Sequence, residues 1–346
     1  MENEKELYIQ YLKSYLSVST HIGCPLGCIY CSGQSFYPDL VEKITDPNSL
    51  VDDVYKYKLF RKDITPIVIN NRSDPFLPKV RKSSMDILKR FYEDGIHNPV
   101  TFITKLTPTP EELSILDEGR LPVFLFVTYS GLDKKIEPFG HESQLNTFDL
   151  CNDRKNFKLI HYWRPIIPTI NDSDEDIRKM LDTVSGKCDA SVVSGMRVNK
   201  TTKKSLHDKG ITAIDDYDYS KHKYLDKDFQ LKIKKMAKEY NHEVFSHTSC
   251  AISTFMDKAD YNLHSNTNFC DVCKNHSNCK ENCGQVILDE FRKLDLNSPV
   301  SEDTDSIVRY QGAMTEEERS FLQTIFKKRI IPEELTLSVS EQLMAK

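Results

Sequence analysis

YLSVSTHIGCPLGCIYC, residues Tyr15 to Cys31, decides how the rest of the chain is read. Its first six residues, Tyr15 to Thr20, are a short run rich in β-branched and apolar side chains, which predicts a strand. Directly behind it stand Cys24, Cys28 and Cys31, three thiols in eight residues. In a barrel of parallel strands the chemistry gathers in the loops after the strand C-termini. The stretch therefore predicts a first barrel strand followed by a loop that carries function.

Five further runs repeat the pattern: Pro66 to Asn70, Val100 to Thr104, Pro122 to Thr128, Phe157 to Trp163 and Ala190 to Ser194. A seventh, EVFSH, ends at His247. Helical stretches are expected to start near Ser49, Lys79, Thr109, Ser173 and Asp226, with Gly95 as a stop for the second. Strands alternating with helices give an α/β class with a parallel sheet, here a partial (β/α)6 barrel of TIM type. The loops after the six runs hold most of the unusual polar and cysteine residues of the first 210 positions, as the barrel rule requires. Three segments follow: a barrel over 1–245, a cysteine-rich segment over 246–290, and over 291–346 a linker (LNSPVSEDTDS) and a helical extension with Thr315 as N-cap.

The chain has 346 residues, 39% hydrophobic and 10% aromatic, enough for a large domain with a real core. No apolar run approaches a bilayer span, so no membrane partner is expected. The N-terminal residues lack a secretory pattern, and the expected location is cytoplasmic. In a reducing cytosol clustered thiols bind metal instead of pairing. A net charge of -5 does not advertise a nucleic-acid binder. One basic stretch, Arg197 to Lys238, reads either as a solvated helix face or as a phosphate-binding patch.

Cys24, Cys28 and Cys31 can aim three thiolates at one point, one ligand short of a closed tetrahedral or cubane site. An open metal position means chemistry. Structural zinc with His21 as fourth ligand is the bland alternative.

The spacing Cys-x3-Cys-x2-Cys after the first strand, with the aromatic Tyr30 before the last cysteine, resembles the radical S-adenosylmethionine superfamily. The resemblance implies a 4Fe-4S cluster on Cys24, Cys28 and Cys31, S-adenosylmethionine as cosubstrate, and an external electron donor such as flavodoxin or ferredoxin. It extends over about Tyr15 to Asn199, to the branch that includes spore photoproduct lyase, through SDPF, ITK, EPFG and RPIIPTIND in the later loops. Leu77 and Val80, and the lack of an arginine soon after Glu137-Pro138, depart from that branch. A zwitterionic cosubstrate needs one charge of each sign nearby. Asp74 is then expected at the methionyl ammonium, with Lys105 or Ser130 at its carboxylate or ribose. Arg164 is expected to face a ligand carboxylate or a buried Glu137. Asn171 and Asp172 read as a helix cap.

Cys270, Cys273, Cys279 and Cys283, with Cys250 upstream, place five thiols in 34 residues, a strong metal signal. Their x2-x5-x3 spacing resembles part of the SPASM extension and implies one auxiliary Fe-S cluster, with structural zinc as the rival and His247, His264 or His276 as substitute ligands. Cys151 and Cys188 read as core cysteines. The leading expectation is a radical enzyme acting on a nucleic acid or a peptide; the alternative is a zinc-stabilised binding module.

Overall fold

The computed structural model describes residues 8–12, 15–31, 33, 39–215, 225, 227–258, 260, 273–280, 294, 300–303, 307–326 and 329–333. The chain opens with β1 (Ile9–Leu12), β2 (Tyr15–Val18) and a small ribbon of β3 (His21–Ile22) and β4 (Glu42–Lys43). It then alternates through α1 (Pro47–Lys56), β5 (Ile67–Ile69), α2 (Arg81–Glu93), β6 (Val100–Thr104), α3 (Pro110–Leu116), β7 (Val123–Thr128), α4 (Glu142–Leu150), β8 (Lys158–Ile166), α5 (Asp174–Val184), β9 (Ala190–Gly195), α6 (Lys200–His207), α7 (Lys227–Glu239) and β10 (Val244–Phe245). After these come α8 (Thr248–Phe255), α9 (His276–Lys280), β11 (Val300–Asp303), β12 (Ile307–Tyr310), α10 (Glu316–Phe326) and β13 (Arg329–Pro332).

The main sheet runs β1-β2-β5-β6-β7-β8-β9-β10. From β2 to β10 every neighbouring pair is parallel, while β1 is antiparallel to β2. Among the described residues β1 and β10 do not pair with each other, so the barrel is partial. All six expected strands are present, and the seventh is the short β10. The sequence reading missed β1, whose IQYL sits inside a charged N-terminus, and the short polar helices α4 and α6.

Alternation along each strand sorts the side chains. Leu16, Val18, Ile67, Ile69, Val100, Phe102, Leu125 and Val127 share a buried cluster with Leu50, Val54, Ile87, Leu88 and Phe91 of α1 and α2. The opposite, concave face carries Val68, Ile103, Phe124, Phe126, Ile160, Tyr162 and Val192, joined by Ala251 and Ile252 of α8. Burial on both faces is why these strands read as continuous apolar runs. The Lys158 ammonium, on the first residue of β8, lies 5.4 Å from the Phe255 ring centroid, and Lys274 pairs at 2.5 Å with Glu243, which precedes β10. Helix α8 and Cys273 therefore lie toward the N-terminal end of the strands, away from the loop of Cys24 to Cys31.

The stretch after Lys293, expected as linker and helix, also contributes a sheet of order β11-β12-β13. Thr315 caps α10 as expected: its hydroxyl accepts from Glu318 N–H at 3.2 Å and its own N–H donates to the Glu318 carboxylate at 3.0 Å. Tyr11 and Phe321 meet edge to face at 5.9 Å, and Tyr11 N–H donates to Glu317 at 3.1 Å. Helix α10 thus shields the edge strand β1, a place where bare strands invite aggregation. No helix among the described residues is long and apolar enough to cross a membrane.

Candidate active site

The loop of Cys24 to Cys31 begins at Gly23 (φ 93°) and turns again at Gly27 (φ 67°), both in the left-handed region that suits glycine. Ile29 N–H donates to Ile136 O at 3.2 Å, which seats the loop on the segment after β7. Cys28 is buried, and Cys24 and Cys31 are half-buried. Burial pushes the Cys24 thiol up to about 12, with the charges of Asp74, Cys28 and Cys31 adding to the effect, and pushes Cys28 up to about 11. The three sulfurs are electrostatic neighbours. Among the described residues no three His, Cys, Asp or Glu side chains already stand at metal-binding distance. The donor set nevertheless suits a thiophilic metal: three neighbouring thiols beside the Lys105 ammonium that acts on Cys28 and Cys31.

Lys105 follows β6 directly, and its ammonium lies 2.5 Å from the Glu137 carboxylate. The Tyr30 hydroxyl donates to the same Glu137 oxygen, and His141 Nδ1 stands 3.4 Å from the other. Burial pushes Glu137 up and Lys105 down, while the contact between them favours both charges. Tyr30, from the cysteine loop, thus joins a buried ion pair built from two other loops.

Asp74 is 4% exposed. Its carboxylate accepts from Thr104 Oγ1 (2.8 Å), Phe76 N–H (3.0 Å) and Lys105 N–H (2.8 Å), which binds the turn after β5 to the end of β6. Ser130 is fully buried, its hydroxyl accepting from Leu132 N–H at 3.1 Å. Arg164 does not pair with Glu137, contrary to one expectation. Its guanidinium lies over the Tyr162 ring at 4.2 Å, and Nη1 donates to the Tyr162 hydroxyl at 3.3 Å.

No family model matches the chain. It is 27% identical over 180 residues to the dual-specificity RNA methyltransferase RlmN of Syntrophotalea carbinolica, a match covering 50% of this chain and 47% of that protein. The chain thus spans about half the length of this curated relative. A spore photoproduct lyase mutant superposes with a TM-score of 0.54 at 15% identity over 69% of this chain and 78% of its own. Another, with bound AdoMet and dinucleoside spore photoproduct, gives 0.53 at 16% identity over the same shares. Both are likenesses of fold. The chain has the fold of spore photoproduct lyase.

Within this fold the second cysteine group is only partly in view, because Cys270 and Cys283 lie outside the described residues, as do His264 and the side chain of His276. Cys250 and Cys273 pack against the concave cluster. The Cys279 sulfur accepts from Asp260 N–H at 3.3 Å and from Asn275 Nδ2 at 3.8 Å. None of the eight described cysteines is in a disulfide. Cys151 and Cys188 are buried in the core, as expected.

Asn171 corrects the sequence reading. The cap of α5 is Ser173, in a capping box with Asp176, whereas Asn171 accepts from Ile167 N–H at 2.8 Å and donates to Ser130 O at 2.8 Å and Pro165 O at 3.0 Å. It locks the loops after β7 and β8 together. The same loops join the cysteine loop in an apolar cluster of Leu132, Ile136, Ile167, Met196 and Val198 with Ile29 and Tyr30 against it. Glu137 entered the sequence reading through EPFG and as a partner for Arg164, never as one for Lys105 or Tyr30, and His141 did not enter it; charged residues in the loop after the fourth run were the available signal.

Proposed function

We propose that the protein is a radical S-adenosylmethionine enzyme. The observation that carries the proposal is the seating of Cys24, Cys28 and Cys31 in the loop beyond the first parallel strand of this fold. Cys24, Cys28 and Cys31 would hold a 4Fe-4S cluster there, and that group would supply one-electron reduction of S-adenosylmethionine for radical hydrogen abstraction. The chain's own residues bind and orient. Lys105 offers a cation beside the cysteine loop for the methionyl carboxylate, and Glu137 holds that cation in place. Asp74 positions Lys105 through its backbone N–H, and Ser130 with Asn171 fixes the loop wall. Tyr30 ties the cysteine loop to Glu137.

The cysteines from Cys250 to Cys283 are proposed to hold one auxiliary Fe-S cluster. Its support is the N–H contacts onto the Cys279 sulfur, an arrangement that favours thiolate. An external flavodoxin or ferredoxin would deliver electrons. The bound dinucleoside in the spore photoproduct lyase structure and the RNA named for the methyltransferase support a nucleic-acid substrate; the cysteine-rich extension is what favours a peptide.

Anaerobic purification and metal analysis test the proposal. About eight iron per chain fits two 4Fe-4S clusters, and about two zinc without iron would make the chain a zinc-stabilised binding module instead. Removing Cys270 and Cys273 together should spare cleavage of S-adenosylmethionine at the first site and abolish product formation or destabilise the segment. Complete loss of cleavage with an intact first cluster would instead point to electron entry through the second.

A further inference from the structure

The concave face of the barrel carries a cation that the function proposed above does not use. Ladder irregularity between Trp163 and Ile166 brackets Arg164, and such irregularities re-aim side chains. Trp163 packs with the helix-side core and Tyr162 with the concave cluster. Arg164 is half-buried, stacked on Tyr162 with Nη1 on the Tyr162 hydroxyl. Its charge also acts on Tyr15 and on Lys105. The Tyr15 hydroxyl accepts from Asn71 Nδ2 at 3.2 Å, which leaves its proton to donate. Among the described residues no carboxylate lies within ion-pair distance of Arg164.

A guanidinium that shares its surroundings with a lysine and has no counter-anion is electrostatically incomplete. Lys105 has Glu137, so the uncompensated charge is the one on Arg164. The charge of Lys105 acts on Cys28 and is acted on by Cys28 and Cys31, whereas Arg164 acts on Tyr15 and stacks on Tyr162. The two cations thus have different surroundings: Lys105 has Glu137 and the thiols, and Arg164 has the two tyrosines.

We infer that Arg164, with Tyr15, Asn71 and Tyr162, forms a site that grips a singly charged oxyanion of the substrate, a phosphate ester or a carboxylate. This rests on the radical-enzyme reading for its substrate, though the anion site itself is open to test without turnover. Nε and Nη2 of Arg164, which have no acceptor among the described residues, offer the ligand a two-pronged donor, Tyr15 adds a hydroxyl, and Tyr162 holds the guanidinium plane. Anchoring the substrate there fixes its distance from the cosubstrate held at Lys105.

The full-length reconstituted protein is titrated calorimetrically with dimethyl phosphate and with acetate at constant ionic strength, with and without saturating S-adenosylmethionine. Saturable 1:1 binding of either probe is expected, persisting with S-adenosylmethionine present, weakened at least about tenfold by Arg164→Gln and less by Tyr15→Phe. Preference for dimethyl phosphate identifies a phosphodiester substrate, and preference for acetate a carboxylate. Circular dichroism confirms that both variants are folded. Displacement of the probe by S-adenosylmethionine would mean that Arg164 grips the cosubstrate, and equal binding by Arg164→Gln, or no saturable binding, would likewise overturn the inference. Failure of the radical-enzyme reading would show separately, as absence of 5'-deoxyadenosine from the wild-type protein.

Discussion

The ammonium of Lys105 stands 2.5 Å from the carboxylate of Glu137, with side-chain exposures of 11% and 1%. Two loops 32 residues apart are thereby joined beside Cys28. Such a pair is costly to break from one side only, because the remaining charge is buried alone. Lys105→Met should therefore cost about 3 kcal/mol, and adding Glu137→Gln should restore much of it. Urea denaturation of the two single variants and the double variant checks this; purely additive losses would show that the residues are not coupled.

Loading the first site should release protons. Cys24 and Cys28 without metal are pushed up to about 12 and about 11, so at neutral pH both are thiols and must lose their protons to bind. Apparent metal affinity should rise with pH across the neutral range. Calorimetry in buffers of different ionisation enthalpy should find at least two protons released per first-site loading, and fewer than one would contradict the burial of these thiols.

Between the sheet and its helices, His161 donates from Nε2 to Tyr129 O at 3.0 Å and accepts at Nδ1 from Ser191 Oγ at 2.8 Å, and Ser191 in turn accepts from His242 Nε2 at 2.7 Å. Burial lowers His161 to about 3 and His242 to about 4. Unfolded histidine titrates near 6.5, so below that value the unfolded chain binds more protons and stability falls as pH falls. The unfolding free energy from urea denaturation should drop between pH 6.5 and 5 by roughly 2 kcal/mol per buried histidine. A flat profile would rule out two neutral buried imidazoles.

The basic stretch divides in two. Arg197, Lys200 and Lys204 are exposed, while Lys203 donates to Asp215 O at 2.5 Å. If the substrate is a nucleic acid, Lys200→Gln and Lys204→Gln should each lower the salt slope of binding by about one unit. Lys203→Gln should act mainly on stability. Filter binding across salt concentrations checks both, and unchanged slopes would reject α6 as a phosphate contact.

The barrel strands and the first cysteine loop were legible because both rest on local pattern: apolar runs buried on two faces, and thiols at fixed spacing. What escaped depends on distance in sequence. Tyr30 meets Glu137 across 107 residues, and the cover that α10 gives β1 comes from Glu317, 306 residues after Tyr11. Arg164 illustrates the intermediate case. Its isolation as a charge was readable from WRP, but which acid lay nearby was not, and Glu137 proved to be taken by Lys105. Asn171 looked like a cap because asparagine before a helix usually is one; three loop backbone groups claimed it instead.

The most direct test of the central claim is 5'-deoxyadenosine release from S-adenosylmethionine by the anaerobically reconstituted full-length protein under a strong reductant, compared with its Cys28→Ala variant. The account predicts release by the wild type and none by the variant. Equal release by both, or none by an iron-loaded wild type, would contradict it.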